Sequence, residues 1–386
     1  MKILITTDLY TTDTNGVVTS VKNLYGELKS KGHDVRILTI SESAHSYKEG
    51  DVYYIRSMPF AVYPNVRMPL SYRHTLIKEL VEWCPDVIHS QCEFFSLEFA
   101  KYLVRKTKAP LVHTYHTLYE QYASYLIPSK RLGKFVVRKV SKIRLKSASR
   151  IVVPTKKVEE ALHGYDISNP ISIVPSGIKL DQHKIRITPK ERVSKREALG
   201  ISKDSRVIIN LGRLGAEKNL SELIDYFSRV VLKADDLYFL IVGDGPAKEQ
   251  LEKQSEELGI SDKVIFTGMI PPTQVHEYYQ LADVFVSAST SETQGLTYVE
   301  AAANGLPLIC RRDPCIEGVV IDGENGYQYD DEDDFTEKLL QALSDPEWRE
   351  HAKEKSEAIA SLYDKKTFGC ALEEIYKSLV ELQKQA

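Results

Sequence analysis

The sequence predicts an α/β protein built from two doubly wound, Rossmann-like parallel-sheet domains facing a central cleft. Three observations carry that prediction. The chain has 386 residues, too long for one ordinary domain and suited to two. Short apolar runs alternate with helix-period stretches along both halves, the pattern of parallel sheets covered by helices on both faces. Between the halves, at 177–200, Lys, Arg and Pro gather without a clear strand.

In the first half, buried strands are read at 3–6, 35–40, 87–89, 111–113, 151–153 and 171–174, with helical stretches such as 17–31 and 97–106 between them. In the second half, strands are read at 207–211, 238–242, 264–267, 284–287 and 308–310, and helices at 220–231, 247–258 and 335–342. The expected domains are 1–177 and 201–365, joined by a linker at 178–200. A helix within 366–386 is expected to pack back across the seam.

The N-terminal run MKILITTDLY stops being apolar at Asp8 and reads as a first strand, not a signal peptide. Composition is ordinary for a globular protein, with 42% hydrophobic and 27% charged residues. No stretch approaches the roughly 18 apolar residues of a membrane span. The five cysteines are odd in number and form no CxxC pair. A disulfide framework or structural zinc is therefore not expected, and a reducing cytoplasm fits. The net charge of -3 hides a split: residues 1–170 hold 25 Lys+Arg against 16 Asp+Glu, the rest 26 against 38. A basic half could meet an anionic membrane surface or nucleic acid, but an overall pI near 6.4 argues against a dedicated nucleic-acid binder.

Ligands of open α/β sheets bind beyond the carboxyl ends of the strands, so candidate chemistry is sought in the loops that follow strands. The most informative is SASTSETQGLTYVEAAANGLP, residues 287–307. A strand ends near Ser287, a polar loop carries Glu292, and a helix opens after Gly295 with Glu300 in its early turns. Backbone N–H groups at such a helix start, with Gly295 allowing close approach, suit a phosphate. A carboxylate one or two turns in suits the paired hydroxyls of a ribose. The loop carboxylate would lie nearer a sugar attached to the phosphate. The bland alternative is one capping and one solvated glutamate.

LGRLGAEKNL, residues 211–220, places Arg213 and Lys218 directly after a strand. Two cations there can hold a diphosphate and neutralise charge on a departing one; otherwise they are an exposed pair on a turn. VGDGP, residues 242–246, contains G-x-G after a strand, but Lys248 stands where a dinucleotide fingerprint has its third glycine. A tight turn explains that motif equally well. In the first half, DTNGVVTS puts Gly16 at a strand-to-helix turn, and LVHTYHTLY puts His113 and His116 just beyond a strand end. A histidine is often only structural, but the strand-end position favours His116 as a ligand contact. No carboxylate stands out at the strand ends of the first half. The acidic run 330–334 reads as a solvated turn, and GxSxG, HExxH and P-loop motifs are absent.

Residues 121–150 hold nine Lys+Arg and no acid. On a helical wheel Arg131, Lys134, Arg138, Lys142 and Lys146 share one face, and Leu132, Val136, Val140 and Ile143 another. Such a basic amphipathic helix is typical of proteins that lie on anionic membranes. The alternative is a helix that buries its apolar side in its own domain. The aromatic stretch 53–73 could line an apolar acceptor entrance or belong to the core.

GRLGAEKN, VGDGP and ETQGLTYVE, in this order, resemble the retaining glycosyltransferases of the GT-B fold, family 4, and the resemblance runs the length of the chain. NGVVTS, HTYHTLYEQY, ASTSETQGLTYVEA and DPCIEGVVIDGENG look especially like the bacterial diacylglycerol α-glucosyltransferases of that family. The resemblance implies a hexosyltransferase that moves glucose, with retention, from UDP-glucose to the 3-hydroxyl of 1,2-diacylglycerol, giving α-monoglucosyldiacylglycerol. It implies that Arg213 and Lys218 bind the diphosphate, Glu300 the ribose and Glu292 the sugar, with backbone at Gln294, Gly295, Leu296 and Thr297 around the phosphates. Gly16 would approach the diphosphate from the other domain, and His116 would lie near the reacting sugar. No cofactor or metal is implied, and no DxD stands at a strand end. The expected place is the cytoplasmic face of the cell membrane, held peripherally through the five cations. Other readings are a different lipid acceptor (a glycosyl-diacylglycerol or a phosphatidylinositol), a different nucleotide sugar, or a nucleotide-sugar epimerase of the same architecture. The last would have no use for a basic membrane face.

Overall fold

The computed structural model describes residues 1–11, 15–43, 45–59, 67–122 and 129–385. It divides into two compact units, Met1–Gly177 with Lys365–Ala386, and Ile178–Asp364.

The first unit holds β1 (Lys2–Thr7), β2 (Asp34–Ser41), β3 (Tyr47–Glu49), β4 (Val52–Pro59), β5 (Arg67–Pro69), β6 (Val87–Ser90), β7 (Leu111–Thr114), β8 (Arg150–Val153) and β9 (Ile171–Ile173). Their order is β3-β4-β2-β1-β6-β7-β8-β9, with β5 paired to β4. The pairs from β4 through β9 are parallel, while β3 and β5 are antiparallel additions. The central strands β6 and β7 are buried at every residue, as a sheet covered on both faces requires. The connections run from β1 toward β2 on one side and toward β6 on the other, so the switch point lies between β1 and β6.

The helix Gly16–Ser30 starts where the Asn15 side chain accepts the Val18 N–H at 2.9 Å. It buries Val21, Leu24 and Leu28 against Ile3 and Ile5 of β1. The closing helix Lys365–Gln385 belongs to this unit, with Phe368, Leu372, Tyr376 and Leu379 in the same cluster. Gly369 permits the contact: a Cβ there would lie 2.8 Å from Glu27 Cβ.

The second unit holds β10 (Arg206–Leu211), β11 (Leu237–Val242), β12 (Val264–Phe266), β13 (Val284–Ser287), β14 (Leu308–Arg311) and β15 (Gly326–Tyr329). All are parallel, in the order β12-β11-β10-β13-β14-β15. The switch point falls between β10 and β13. The segment expected as a linker instead forms two helices, Leu180–His183 and Pro189–Ala198, within this unit. Thr188 and Glu191 make a reciprocal capping box and Pro189 opens the helix. Its Arg196 is buried on Leu281 O, Ser205 O and Asp283. Polar composition concealed a helix whose one buried side chain is an arginine.

Candidate active site

After β10 the chain turns through Gly212–Gly215 into a 3-10 turn, Ala216–Lys218, and then the helix Leu220–Val230. After β13 the loop carries Ser289, Ser291 and Glu292. These loops flank the switch point of the second sheet, and the structure joins them. Lys218 Nζ donates to Glu292 Oε1 at 2.5 Å, and Ser289 Oγ to the same oxygen at 3.1 Å. Ser291 Oγ donates to Glu217 O at 2.9 Å. Arg213 is 64% exposed and meets the Glu217 carboxylate at 3.2 Å. Lys218 and Glu292 are thus brought together, while Arg213 stands on the same loop at the surface.

VGDGP resolves as a support for the Arg213 loop. A Cβ at Gly243 would lie 1.9 Å from Gly212 O, and one at Gly245 2.4 Å from Leu214 O. Leu214 N donates to Asp244 O and Ala247 N to Leu214 O, each at 2.9 Å. The glycines let two loops meet backbone to backbone.

The helix Leu296–Ala303 begins at Gly295, whose φ is 69°. A side chain there would be strained, and its Cβ would meet the Tyr298 ring at 2.2 Å. The first-turn N–H groups of a helix have no partner within the helix and suit an anion; here they belong to the residues just after Gly295. One turn on, Glu300 Oε2 accepts from Tyr279 OH at 3.2 Å. Burial pushes the Glu300 carboxyl up to about 7, with the tyrosine bond opposing. Hydroxyl donors brought by a ligand would favour its ionised form.

At the β1/β6 switch point of the first unit the side chains are buried. Asp8 Oδ1 accepts the Ser96 N–H at 2.8 Å and so caps the helix Phe95–Thr107; burial pushes its carboxyl up to about 6. Glu93 is 8% exposed. Its Oε2 accepts from Tyr119 OH at 2.7 Å, and its Oε1, with no hydrogen bond, lies 3.5 Å from His113 Nε2. Among the described residues neither ring nitrogen of His113 has a hydrogen-bond partner. His116 Nε2 lies 2.8 Å from Gln91 Oε1, and burial pushes this imidazole down to about 4. Gly16 opens the first helix, and among the described residues a Cβ there would meet nothing within 4 Å. Asp8 and Glu93 overturn the expectation that no carboxylate stands at these strand ends. Each follows its strand by one to three residues, the same positional signal that singled out Arg213.

Residues 191–358 match the glycosyl transferases group 1, and residues 14–182 match Glycosyltransferase Family 4. Across 380 residues the chain is 32% identical to the alpha-monoglucosyldiacylglycerol synthase of Streptococcus pneumoniae, covering 97% of this chain and 85% of that one. The chain belongs to glycosyltransferase family 4. It is 31% identical to the enzyme of the same name from Acholeplasma laidlawii, covering 99% and 98% of the two chains. Among solved structures, Anabaena HepE in complex with UDP-glucose matches with a TM-score of 0.77 at 17% identity, over 98% of this chain and 100% of that one. That likeness shows the fold, GT-B.

The family 4 transferase carries its basic segment as the helix Lys130–Leu145. The helix docks through Gly133, Val137, Ser141 and Leu145, spaced four apart. Ser141 Oγ lies 3.2 Å from Tyr115 OH. Arg144 fastens it by donating to Glu93 O at 2.5 Å and Phe94 O at 2.7 Å. The apolar face read from the wheel is not what docks: Leu132 is 53% exposed, Val140 46% and Ile143 71%. The bland alternative of an apolar side buried in its own domain fails. The five cations are less free than their own segment suggests. Arg138 pairs with Asp166, Lys142 lies 3.8 Å from that carboxylate, and Lys134 lies 3.6 Å from Glu120. Of the aromatic stretch 53–73, residues 60–66 lie outside the described residues, as do 12–14 beside Gly16. No described helix is long and apolar enough to cross a membrane.

Proposed function

We propose that this transferase moves glucose from UDP-glucose to the 3-hydroxyl of 1,2-diacylglycerol on an anionic membrane surface, at the cytoplasmic face, with retention of configuration. The observation that carries the reading is the 32% identity to an alpha-monoglucosyldiacylglycerol synthase across 97% of this chain. The exposed apolar and basic faces of the Lys130–Leu145 helix support a lipid acceptor. The second unit holds the donor. Lys218 and Arg213 take the diphosphate, the backbone at Gln294–Thr297 lies around the phosphates, Glu300 accepts from the ribose hydroxyls and Glu292 from the sugar. His116 is the group proposed to lie near the reacting sugar, and Gly16 the residue proposed to approach the diphosphate.

The chemistry proposed is attack on the donor's own face. The bond from the anomeric carbon to the diphosphate breaks, the lipid hydroxyl bonds to that carbon, and its proton passes to the departing phosphate. Lys218 and Arg213 stabilise the charge that develops, so no metal is required.

The test is transfer from radiolabelled UDP-glucose and UDP-galactose to phosphatidylglycerol vesicles with and without diacylglycerol, with and without EDTA. The expected result is an α-glucosyl lipid formed only with diacylglycerol and UDP-glucose, indifferent to EDTA. A product that needs galactose, another lipid or a metal overturns the corresponding part. Changing Arg131, Lys134 and Lys146 to glutamate should abolish vesicle binding and lipid glucosylation while UDP affinity stays intact. If the triple variant sediments with anionic vesicles as the parent does, the helix is not the membrane contact.

A further inference from the structure

A chain of buried side chains in the first unit runs from the closing helix to His116. Tyr376, on Lys365–Gln385, is fully buried, and its hydroxyl lies 2.5 Å from Nδ1 of His89 on β6. The other ring nitrogen of His89 lies 2.7 Å from Thr114 Oγ1 at the end of β7. Gln91, 1% exposed, places its amide nitrogen 3.1 Å from His89 Nε2 and its carbonyl oxygen 2.8 Å from His116 Nε2. A carboxamide oxygen only accepts, so His116 Nε2 carries the proton in this arrangement and Nδ1 is the acceptor of the ring. None of His89, Gln91 and Tyr376 follows from the family motifs, and all three are more deeply buried than His116.

We propose that Gln91, held by His89 and Tyr376, is a positioning residue that fixes which nitrogen of His116 carries its proton, so that Nδ1 accepts a hydrogen bond from a hydroxyl of the bound sugar. The inference rests on the place given to His116 in the proposed reaction. A wrong tautomer would present a donor where an acceptor is needed, a defect in reacting geometry and not in binding of the nucleotide. The titratable groups that act on His116 or are acted on by it are Glu93 after β6, His113 on β7 and His89 on β6. Glu93 alone among them raises the His116 basicity as an anion, and burial outweighs it.

Three variants and two readouts test this. Gln91→Leu removes the accepting oxygen, Gln91→Glu keeps one, and Tyr376→Phe removes only the hydroxyl that holds His89. For Gln91→Leu, kcat should fall about 30-fold with KM for UDP-glucose unchanged. Gln91→Glu should recover near-parent kcat at pH 8.5. It should lose activity at a higher pH than the parent on acidification, because a carboxylate beside His116 favours the cation, which has no acceptor. Tyr376→Phe should lower kcat about fivefold. Independently of activity, long-range proton–nitrogen spectra of the ring nitrogens should show His116 as the Nε2–H tautomer in the parent and a mixture in Gln91→Leu. If Gln91→Leu keeps the parent tautomer, or if Gln91→Leu and Gln91→Glu lose equal activity at every pH together with Tm, Gln91 only holds the fold. If His116→Ala turns over as the parent does while the tautomer shifts as described, the place given to His116 in the reaction is wrong, and the proposed role falls with it.

Discussion

At the β10/β13 switch point the decisive side chains are charged and already paired, Lys218 to Glu292 at 2.5 Å and Arg213 to Glu217 at 3.2 Å. At the β1/β6 switch point the groups are buried, burial lowers the basicity of His89 and His116, and among the described residues Glu93 Oε1 and His113 have no hydrogen-bonding partner. The same strand-crossing geometry thus supports two kinds of recognition. A diphosphate carries negative charge and can exchange places with Glu292 on Lys218, keeping the cation satisfied throughout. A lipid hydroxyl or a sugar carries no charge, and what it can supply is hydrogen bonds to groups that are already desolvated. Leaving such groups unmatched costs stability, and folds retain that cost where function needs it.

The sharpest way to break this comparison is to remove the charge on the second side. We predict that Lys218→Ala lowers turnover about 100-fold, near 3 kcal/mol of lost stabilisation of the leaving diphosphate, and that Arg213→Ala does the same. Because Lys218 and Glu292 share one contact, their losses should not add. Glu292→Ala should damage transfer yet leave UDP affinity unchanged or tighter, since a carboxylate no longer competes for the ammonium. The double variant should lose less than the product of the single losses. Steady-state rates and UDP calorimetry on the four proteins measure this, and full additivity would show that the pair acts as two separate groups.

The next prediction uses the group that violates the pattern, a buried acid in the charged unit. Glu300 has a carboxyl pushed up from 4.5 to about 7, so the folded protein binds more protons there than the unfolded chain between those values. Its contribution to stability is therefore lost as pH rises from 4.5 to 7, and Glu300→Gln should raise Tm of the ligand-free protein at pH 8 while leaving it unchanged near pH 4.5. If Glu300 accepts from the ribose hydroxyls as proposed, binding uses the ionised form. UDP binding should release protons near pH 7 and be about tenfold weaker at pH 6 than at pH 8. Glu300→Gln should weaken UDP binding and flatten that pH dependence. A parent affinity independent of pH, or a variant that keeps the parent slope, would place the ribose elsewhere.

The difference between the units also explains what could be read in the sequence. The central strands of both sheets were legible because full burial leaves continuous apolar runs such as LIV and VFVS. β3 and β15 were not, because YKE is wholly exposed and GYQY is half-polar at a sheet edge. Arg213, Lys218, Glu292 and Glu300 stood out as charges on the loops and the helix start that follow apolar strands. Gln91 and His89 did not, since uncharged polar residues inside a strand-to-loop segment look like ordinary turn chemistry until their partners, including Tyr376 from the far end of the chain, are placed beside them. The 130–145 helix was legible as basic and amphipathic. Which face docks was not, because Gly133 and Ser141 carry no hydrophobic signal although they form the seam.

The smallest effect expected concerns the outer surface of the first unit. Arg138 is paired with Asp166, and Lys142 lies 3.8 Å from the same carboxylate, so one acid holds back two of the cations offered to a membrane. Asp166 sits at a φ of 55°, a conformation asparagine tolerates well, so Asp166→Asn removes the charge with the backbone kept. One additional uncompensated cation near an anionic surface should tighten binding to phosphatidylglycerol vesicles about fivefold. The gain should vanish at about 1 M salt, where screening acts within roughly 3 Å. It should be absent on purely zwitterionic vesicles, and UDP affinity should not change, because the proposed donor site belongs to the other unit. Sedimentation of the variant with anionic vesicles at the parent's level would mean that Arg138 does not face the lipid. Docking would then rest on the exposed Leu132, Val140 and Ile143, and it should weaken when those three are made polar and ignore salt.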